Sequence, residues 1–98
     1  MTMQKTQNGT DLAIALEGRL DTMTAPELEA ELKQSLDAVQ TLTLDFSKLD
    51  YISSAGLRVL LSAHKTMAPK GGMKVTNVNE IVREVFEVTG FADILTIE

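Results

Sequence analysis

The sequence contains no cysteine among its 98 residues. Disulfides, thiolate catalysis and zinc sites built on cysteine are therefore excluded, and the composition fits a reducing compartment. Positive charge is also scarce: nine Lys and Arg stand against fourteen Asp and Glu, for a formal net charge of −5. Nucleic-acid binders carry a clustered basic surface, whereas the basic residues here are scattered, so no nucleic-acid partner is expected. An acidic surface aids solubility and steers the molecule toward basic partners. No stretch approaches the ~20 consecutive apolar residues that a membrane-spanning helix needs. Met1 to Asp11 hold Lys5 but no apolar run, so no signal peptide is read there. These absences predict a soluble, cytoplasmic protein with no membrane insertion.

Catalytic constellations are missing as well. The one histidine, His64, falls on the apolar side of a predicted helix, the usual place of a packing residue. No serine sits in a Gly-x-Ser-x-Gly elbow, and Ser54 and His64 are ten residues apart on one helix, too far to bond as nucleophile and base. No Gly-x-x-x-x-Gly-Lys-Ser/Thr run is present, which excludes a P-loop kinase, and Gly71-Gly72 reads as a plain loop. The carboxylates lack metal-ligand spacing. The chain is read as a non-enzyme with no catalytic residue, no metal and no cofactor.

What is present is an ordinary globular pattern. A chain with 44% hydrophobic and 23% charged residues is not disordered, and this length suits one domain, residues 1–98, that buries roughly two-thirds of its unfolded surface. Met3 to Thr6 reads as a short edge strand, and Asn8-Gly9 as a hairpin turn. Leu12, Ile14 and Leu16 alternate with Ala13, Ala15 and Glu17, the period-2 pattern of a strand with one face buried, ended by Gly18. Thr24 reads as the N-cap of a helix over Ala25–Asp37, with Pro26 and Glu27 in its first turn and Leu28, Leu32 and Leu36 as its apolar stripe. Leu42, Leu44 and Phe46 mark a third strand over Thr41–Phe46, followed by a polar loop, Ser47 to Asp50. A second helix starts near Ser54, with Leu57, Leu60, Leu61 and His64 inward. Met73–Thr76 is a fourth strand. Asn79 caps a third helix with Ile81, Val82, Val85, Phe86 and Val88 inward and Gly90 at its C′ position. Ile94–Ile97 adds a last short strand. The order β-β-α-β-α-β-α-β predicts an α/β domain with a mixed, mostly parallel sheet of four to five strands and three amphipathic helices. Nothing in it demands an oligomer, so the free chain is expected to be a monomer.

The most unusual segment is Leu49-Asp50-Tyr51-Ile52-Ser53-Ser54-Ala55-Gly56-Leu57-Arg58, where strand and loop give way to helix. Ligands and partners of open α/β sheets gather at the carboxyl ends of strands, beside helix N-termini. A serine at such a helix start keeps its hydroxyl near solvent. A phosphate on it would meet the free N–H groups of the first turn and the positive end of the helix dipole. The same serine can also be a plain N-cap, and pattern alone does not separate Ser54 from Ser53. Arg58 lies one turn beyond Ser54, in reach by i,i+4 geometry, as a phosphate or partner contact or as a solvated helix residue.

The run Asp45-Phe46-Ser47-Lys48-Leu49-Asp50-Tyr51-Ile52-Ser53-Ser54-Ala55-Gly56-Leu57 resembles the signature of the STAS family, specifically its bacterial anti-sigma factor antagonists. A second stretch, Gly18-Arg19-Leu20-Asp21 followed by Thr24-Ala25, is similar to the same family, and the resemblance covers essentially the whole chain. It implies the STAS fold and a partner-switching function. The serine after the aspartate of an Asp-Ser-Ser/Thr-Gly-Leu run is phosphorylated by a histidine-kinase-like ATPase that is also the anti-sigma factor. The unphosphorylated antagonist captures that serine protein kinase, and a phosphoserine phosphatase restores the antagonist. Carried onto this sequence, the resemblance makes Ser54 the phosphoacceptor, with Ser53 the alternative. Asp21, Thr22, Ser53, Gly56, Leu57 and Arg58 become the partner-binding residues. Two positions depart from the family: Ser53 stands where aspartate is common, and Ala55 where serine or threonine is common. The same fold also serves as a subunit of lipid-transport complexes and as a module in stress signalling or secretion control, the alternative implied roles.

Overall fold

The turn signal at Asn8-Gly9 is realised as a hairpin. In the computed structural model, which describes residues 1–98, β1 (Thr2–Asn8) turns through Gly9 and Thr10 into β2 (Asp11–Leu20). Asn8 pairs with Asp11, and Gly9 takes φ +64°, a left-handed conformation that glycine adopts without steric cost. From β2 onward a helix follows every strand except the last. The elements are α1 (Ala25–Ser35) with a 3₁₀ turn at Leu36–Ala38, β3 (Thr41–Ile52), α2 (Ser54–Met67) and β4 (Met73–Thr76). They end with α3 (Glu80–Thr89), a second 3₁₀ turn at Phe91–Asp93, and β5 (Thr96–Ile97). The strands lie side by side in chain order. β1 is antiparallel to β2, and the other pairs are parallel. Each parallel step needs a crossover, and one helix supplies each.

Alternation decides which face is covered. Leu12, Ile14 and Leu16 of β2, Leu42, Leu44 and Phe46 of β3, and Met73 and Val75 of β4 are buried. They form one cluster with Leu28 and Leu32 of α1, Leu57 and Leu60 of α2, and Val82 and Phe86 of α3. The Phe46 and Phe86 ring centroids are 6.4 Å apart, which anchors α3 over the middle strand. Residues of opposite phase, Ala13, Ala15, Thr43, Asp45, Lys74 and Thr76, are half-buried or exposed. All three helices therefore cover one face, and the other carries no second layer. Burial of each large core side chain contributes about 1.5–3 kcal/mol before entropy is counted. On edge strand β1, Lys5 pairs in register with buried Ile14 and so points to the helical side, where its Nζ lies 2.6 Å from the Glu31 carboxylate of α1. No helix is long and apolar enough to cross a membrane.

The structure corrects the sequence reading in several places. Gly18 does not end β2, and Ser47–Asp50 is not a loop: both strands continue, to Leu20 and Ile52. The pairing is re-phased by register shifts between Ala15 and Glu17 and between Gly18 and Arg19. Gly18 takes φ +105° there, and two successive exposed residues, Ser47 and Lys48, break the alternation before Leu49 and Ile52 return to the core. β1 is longer than expected, and the last strand shrinks to Thr96–Ile97. Leu61 and His64 are half-buried rather than core residues. Ile81 and Val88 are 59% and 79% exposed, because α3 buries only the narrow stripe of Val82 and Phe86. Asn79 does cap α3, accepting from the Val82 N–H at 2.8 Å, and Gly90 ends it at φ +83°.

Candidate functional site

The extended β2 and β3 carry their carboxyl ends past the sheet, where two chain reversals meet. One is the loop from Asp21 to Thr24 that leads into α1; the other is the junction of β3 with α2. The Ser53 N–H donates to the Leu20 carbonyl at 2.9 Å, stitching the two together. Gly56 makes this approach possible. It is buried, and a Cβ there would lie 2.8 Å from both Ile52 Cγ1 and Leu20 Cγ, so α2 seats on the strand ends only with glycine at this position.

The two serines at the start of α2 differ sharply. Ser53 is the N-cap residue, with extended backbone and no side-chain capping bond, and its Oγ is buried without a hydrogen-bond partner. Ser54 is the first helical residue and is exposed. The Leu57 N–H donates to the Ser53 carbonyl at 3.0 Å as the first intrahelical bond, which leaves the N–H groups of Ser54, Ala55 and Gly56 without helical acceptors. An anion on the Ser54 hydroxyl thus meets a surface prepared for negative charge.

The facing loop is built by Asp21. Its Oδ1 accepts from the N–H groups of Met23 at 3.0 Å and Thr24 at 3.1 Å, an Asx-type turn. Thr24 is the N-cap residue of α1, as its place in the sequence predicts, but it makes no side-chain capping bond. Instead its hydroxyl accepts from the Asp21 N–H at 2.9 Å and donates to the Arg19 carbonyl at 2.7 Å, so the carboxylate one turn earlier organises the start of the helix. Partial desolvation pushes the Asp21 carboxyl up. The Thr24 and Met23 N–H groups, the Thr24 hydroxyl and Arg19 outweigh it and hold the carboxyl below its ordinary value. Arg19 Nε stands 3.7 Å from Asp21 Oδ2, and its guanidinium lies 4.7 Å from the centroid of the Tyr51 ring, its partner across the β2–β3 register.

Of the residues singled out from the sequence, Thr22 and Arg58 come together with Ala25, Pro26, Glu29, Ala55 and Val59 around a depression of about 180 Å³. Arg58 is exposed and takes part in none of the ion pairs. Gly56 and Leu57 lie beneath this surface, Leu57 only 5% exposed, so they support it and present no side chain to a partner. Arg19 and Tyr51 stand in the two sequence motifs without a site role, and their pairing is legible only once the β2 and β3 extensions are known. His64 sits away from all of them, lining with Asp11, Thr41 and Gly71 a hollow at the opposite end of α2.

The fold has known counterparts. The profile of the family described as the STAS domain matches residues 2–98. The chain belongs to the STAS domain family. Among curated STAS relatives, BtrV of Bordetella bronchiseptica, a candidate anti-sigma factor antagonist, is 40% identical over 88 residues, covering 88% of this chain and 76% of its own. The anti-sigma-B factor antagonist of Bacillus subtilis is 29% identical over 92 residues, covering 93% and 84%. The solved STAS fold of the anti-sigma factor antagonist SpoIIAA in its unphosphorylated form superposes with a TM-score of 0.85 at 22% identity, over 99% of this chain and 88% of that one. Its phosphorylated form, the Bacillus cell fate determinant, gives 0.76 at 21% identity, over 99% and 91%.

Proposed function

We propose that this STAS domain is an anti-sigma factor antagonist whose capture of its partner is switched by phosphorylation of Ser54. The observation that carries the reading is the contrast at the start of α2: the Ser54 hydroxyl is open to solvent, while the Ser53 Oγ is buried. A kinase reaches the first and not the second. The relatives' names and the two forms of SpoIIAA support the same reading. In the unphosphorylated state, the loop of Asp21 to Thr24 and the first turns of α2 form a surface for a histidine-kinase-like ATPase that is both anti-sigma factor and serine kinase. Its capture frees the sigma factor. Transfer of the γ-phosphoryl group to Ser54 adds about −1.5 to −2 charge in the middle of that surface, on a chain already at −5. A partner face shaped around a neutral hydroxyl then meets unpaired charge and desolvation cost, and lets go. Refolding is not required. The free N–H groups of the first α2 turn accommodate the phosphate where it is made, and a phosphoserine phosphatase in the cytoplasm returns the chain to its binding form.

The test is a kinase assay. The ATPase that co-purifies with the chain from its native lysate is identified, purified and incubated with ATP and wild type, Ser53→Ala or Ser54→Ala. Mass spectrometry is expected to find phosphate on the first two and none on Ser54→Ala, with the phosphorylated chain released from the ATPase. Phosphate retained in Ser54→Ala overturns the site, and a chain that stays bound after modification overturns the switch.

A further inference from the structure

The most exposed large apolar side chain in the molecule is Met23, 83% accessible. A single apolar side chain on a loose loop is ordinary, but the Met23 loop is braced. Its own N–H and that of Thr24 donate to the Asp21 carboxylate. The Thr24 and Ala25 N–H groups donate to the Asp21 carbonyl at 3.2 and 2.8 Å, and the Thr24 hydroxyl closes onto Arg19. Every bond in this network fixes the backbone on either side of Met23, and none involves its side chain. Thr22, next to Met23 in the chain, lines the same depression as Ala55 and Arg58, which follow Ser54 in the first turns of α2. The other exposed apolar residues, Ile81, Val88 and Ile94, belong to α3 and the segment after it.

We infer that Met23 is the apolar anchor of this surface, inserted into an apolar pocket of the anti-sigma factor. The inference rests on the reading of Ser54 above and adds a second role to the same face: Ser54 switches the contact and Met23 grips. A methionine suits the task, because its unbranched, polarisable chain adapts to a pocket of irregular shape. A rigid pedestal keeps the ordering cost to that one side chain. Thr22, Glu29 and Arg58, which line the neighbouring depression, supply polar groups beside the apolar contact. The switch charge is separate from this contact, so release depends on the phosphate overcoming an anchor that phosphorylation leaves chemically unchanged.

The test uses the chain labelled with carbon-13 at its methionine methyl groups, titrated with the purified histidine-kinase-like anti-sigma factor from the same genome in its ADP form. Met67 and Met73 are buried and serve as internal references. On binding, the Met23 methyl resonance is expected to shift and broaden while that of Met67 stays in place. Met23→Ala is expected to lower affinity about tenfold or more and Met23→Leu to stay within about threefold, both with unchanged thermal stability. Ser54→Glu in the same titration separates the two ideas. If Ser54→Glu loses binding while Met23→Ala binds like wild type, the anchor is overturned and the switch stands. If Ser54→Glu binds undiminished, the switch is overturned whatever Met23 does, and a lost Met23→Ala contact still supports the anchor.

Discussion

The two ends of the parallel sheet are built to different standards of self-sufficiency. At the amino end of β2 and β3 the chain closes on itself. The Thr10 carbonyl accepts from the Gln40 and Thr41 N–H groups at 2.8 and 3.3 Å, and the Gly71 N–H donates to the Gln40 carbonyl at 2.6 Å. The Thr41 hydroxyl donates to the Asp11 carboxylate. Lys70 Nζ reaches the Leu36 carbonyl at 2.6 Å and that of Asp37 at 3.4 Å, placing a cation on carbonyls left free where a helical segment ends. The Nδ1 of His64 is the buried group left without a partner there. At the carboxyl end the backbone is equally well tied, through Ser53 to Leu20 and through the Asp21 turn, yet the side chains are left facing outward: Ser54, Met23, and Arg58 without an anion. An end that satisfies itself serves stability; an end with fixed backbone and free side chains is suited to recognition.

Substitutions at the two ends should therefore separate cleanly. Ser54→Glu is expected to weaken binding of the anti-sigma factor about a hundredfold or more, roughly 2.7 kcal/mol. Its unfolding free energy should stay within about 0.5 kcal/mol of wild type; isothermal titration and urea melts measure the two. Gly56→Ala breaks the contrast from beneath, because the added methyl must displace Ile52 and Leu20. A cost of about 1–3 kcal/mol is expected for such overpacking, with a loss of binding as α2 shifts. Lys70→Ala strikes the other end: about 1 kcal/mol of stability should go with its carbonyl contacts while affinity for the anti-sigma factor is unchanged. A fall in affinity there would show that the ends are coupled.

The smallest effect concerns acid. The Asp21 carboxyl is held below its ordinary value of 3.8 in the folded chain, so folding favours the ionised form. That stabilisation is fully present above the unfolded value and disappears as pH falls through the folded one. Asp45, whose carboxylate accepts from Asn77 Nδ2 at 3.0 Å and the Ser47 N–H at 2.9 Å, is held low in the same direction. Urea melts between about pH 2 and 6 should show stability falling at the acid end, and less steeply in Asp21→Asn, whose amide oxygen still accepts from the turn.

The sequence made the element order legible because it is written in strong local signals: Asn8-Gly9, the alternation of Leu12 to Leu16, the leucine stripe of α1 and the caps Asn79 and Gly90. What stayed hidden depends on contacts between distant segments. Ser47 and Lys48 read as loop because two successive polar residues break period 2, and only pairing with Glu17 and Arg19 reveals a bulged strand. Ile81 and Val88 match the helical period of α3 as well as Val82 does, and which of them is covered depends on how much sheet lies beneath. At the site, the ten residues Leu49 to Arg58 stand out in the sequence as a junction of strand and helix, and β3 ends and α2 begins within them. Spacing alone leaves Ser53 and Ser54 equivalent and only the resemblance puts Ser54 first, because one residue of helix phase is decided by the Ser53 N–H reaching Leu20, thirty-three positions away. The resemblance also names Gly56 and Leu57 as partner-binding, and both are buried in the fold.

The ion pair between Lys5 and Glu31 bears on how this chain behaves in company. β1 is a seven-residue strand at the margin of the sheet, with a row of backbone groups that another molecule's strand could extend. A charged side chain in the middle of such a margin, held on the side where an incoming strand would need to bury apolar residues, makes fibrillar stacking unfavourable. The pair thereby gives the strand most open to templated aggregation its own safeguard.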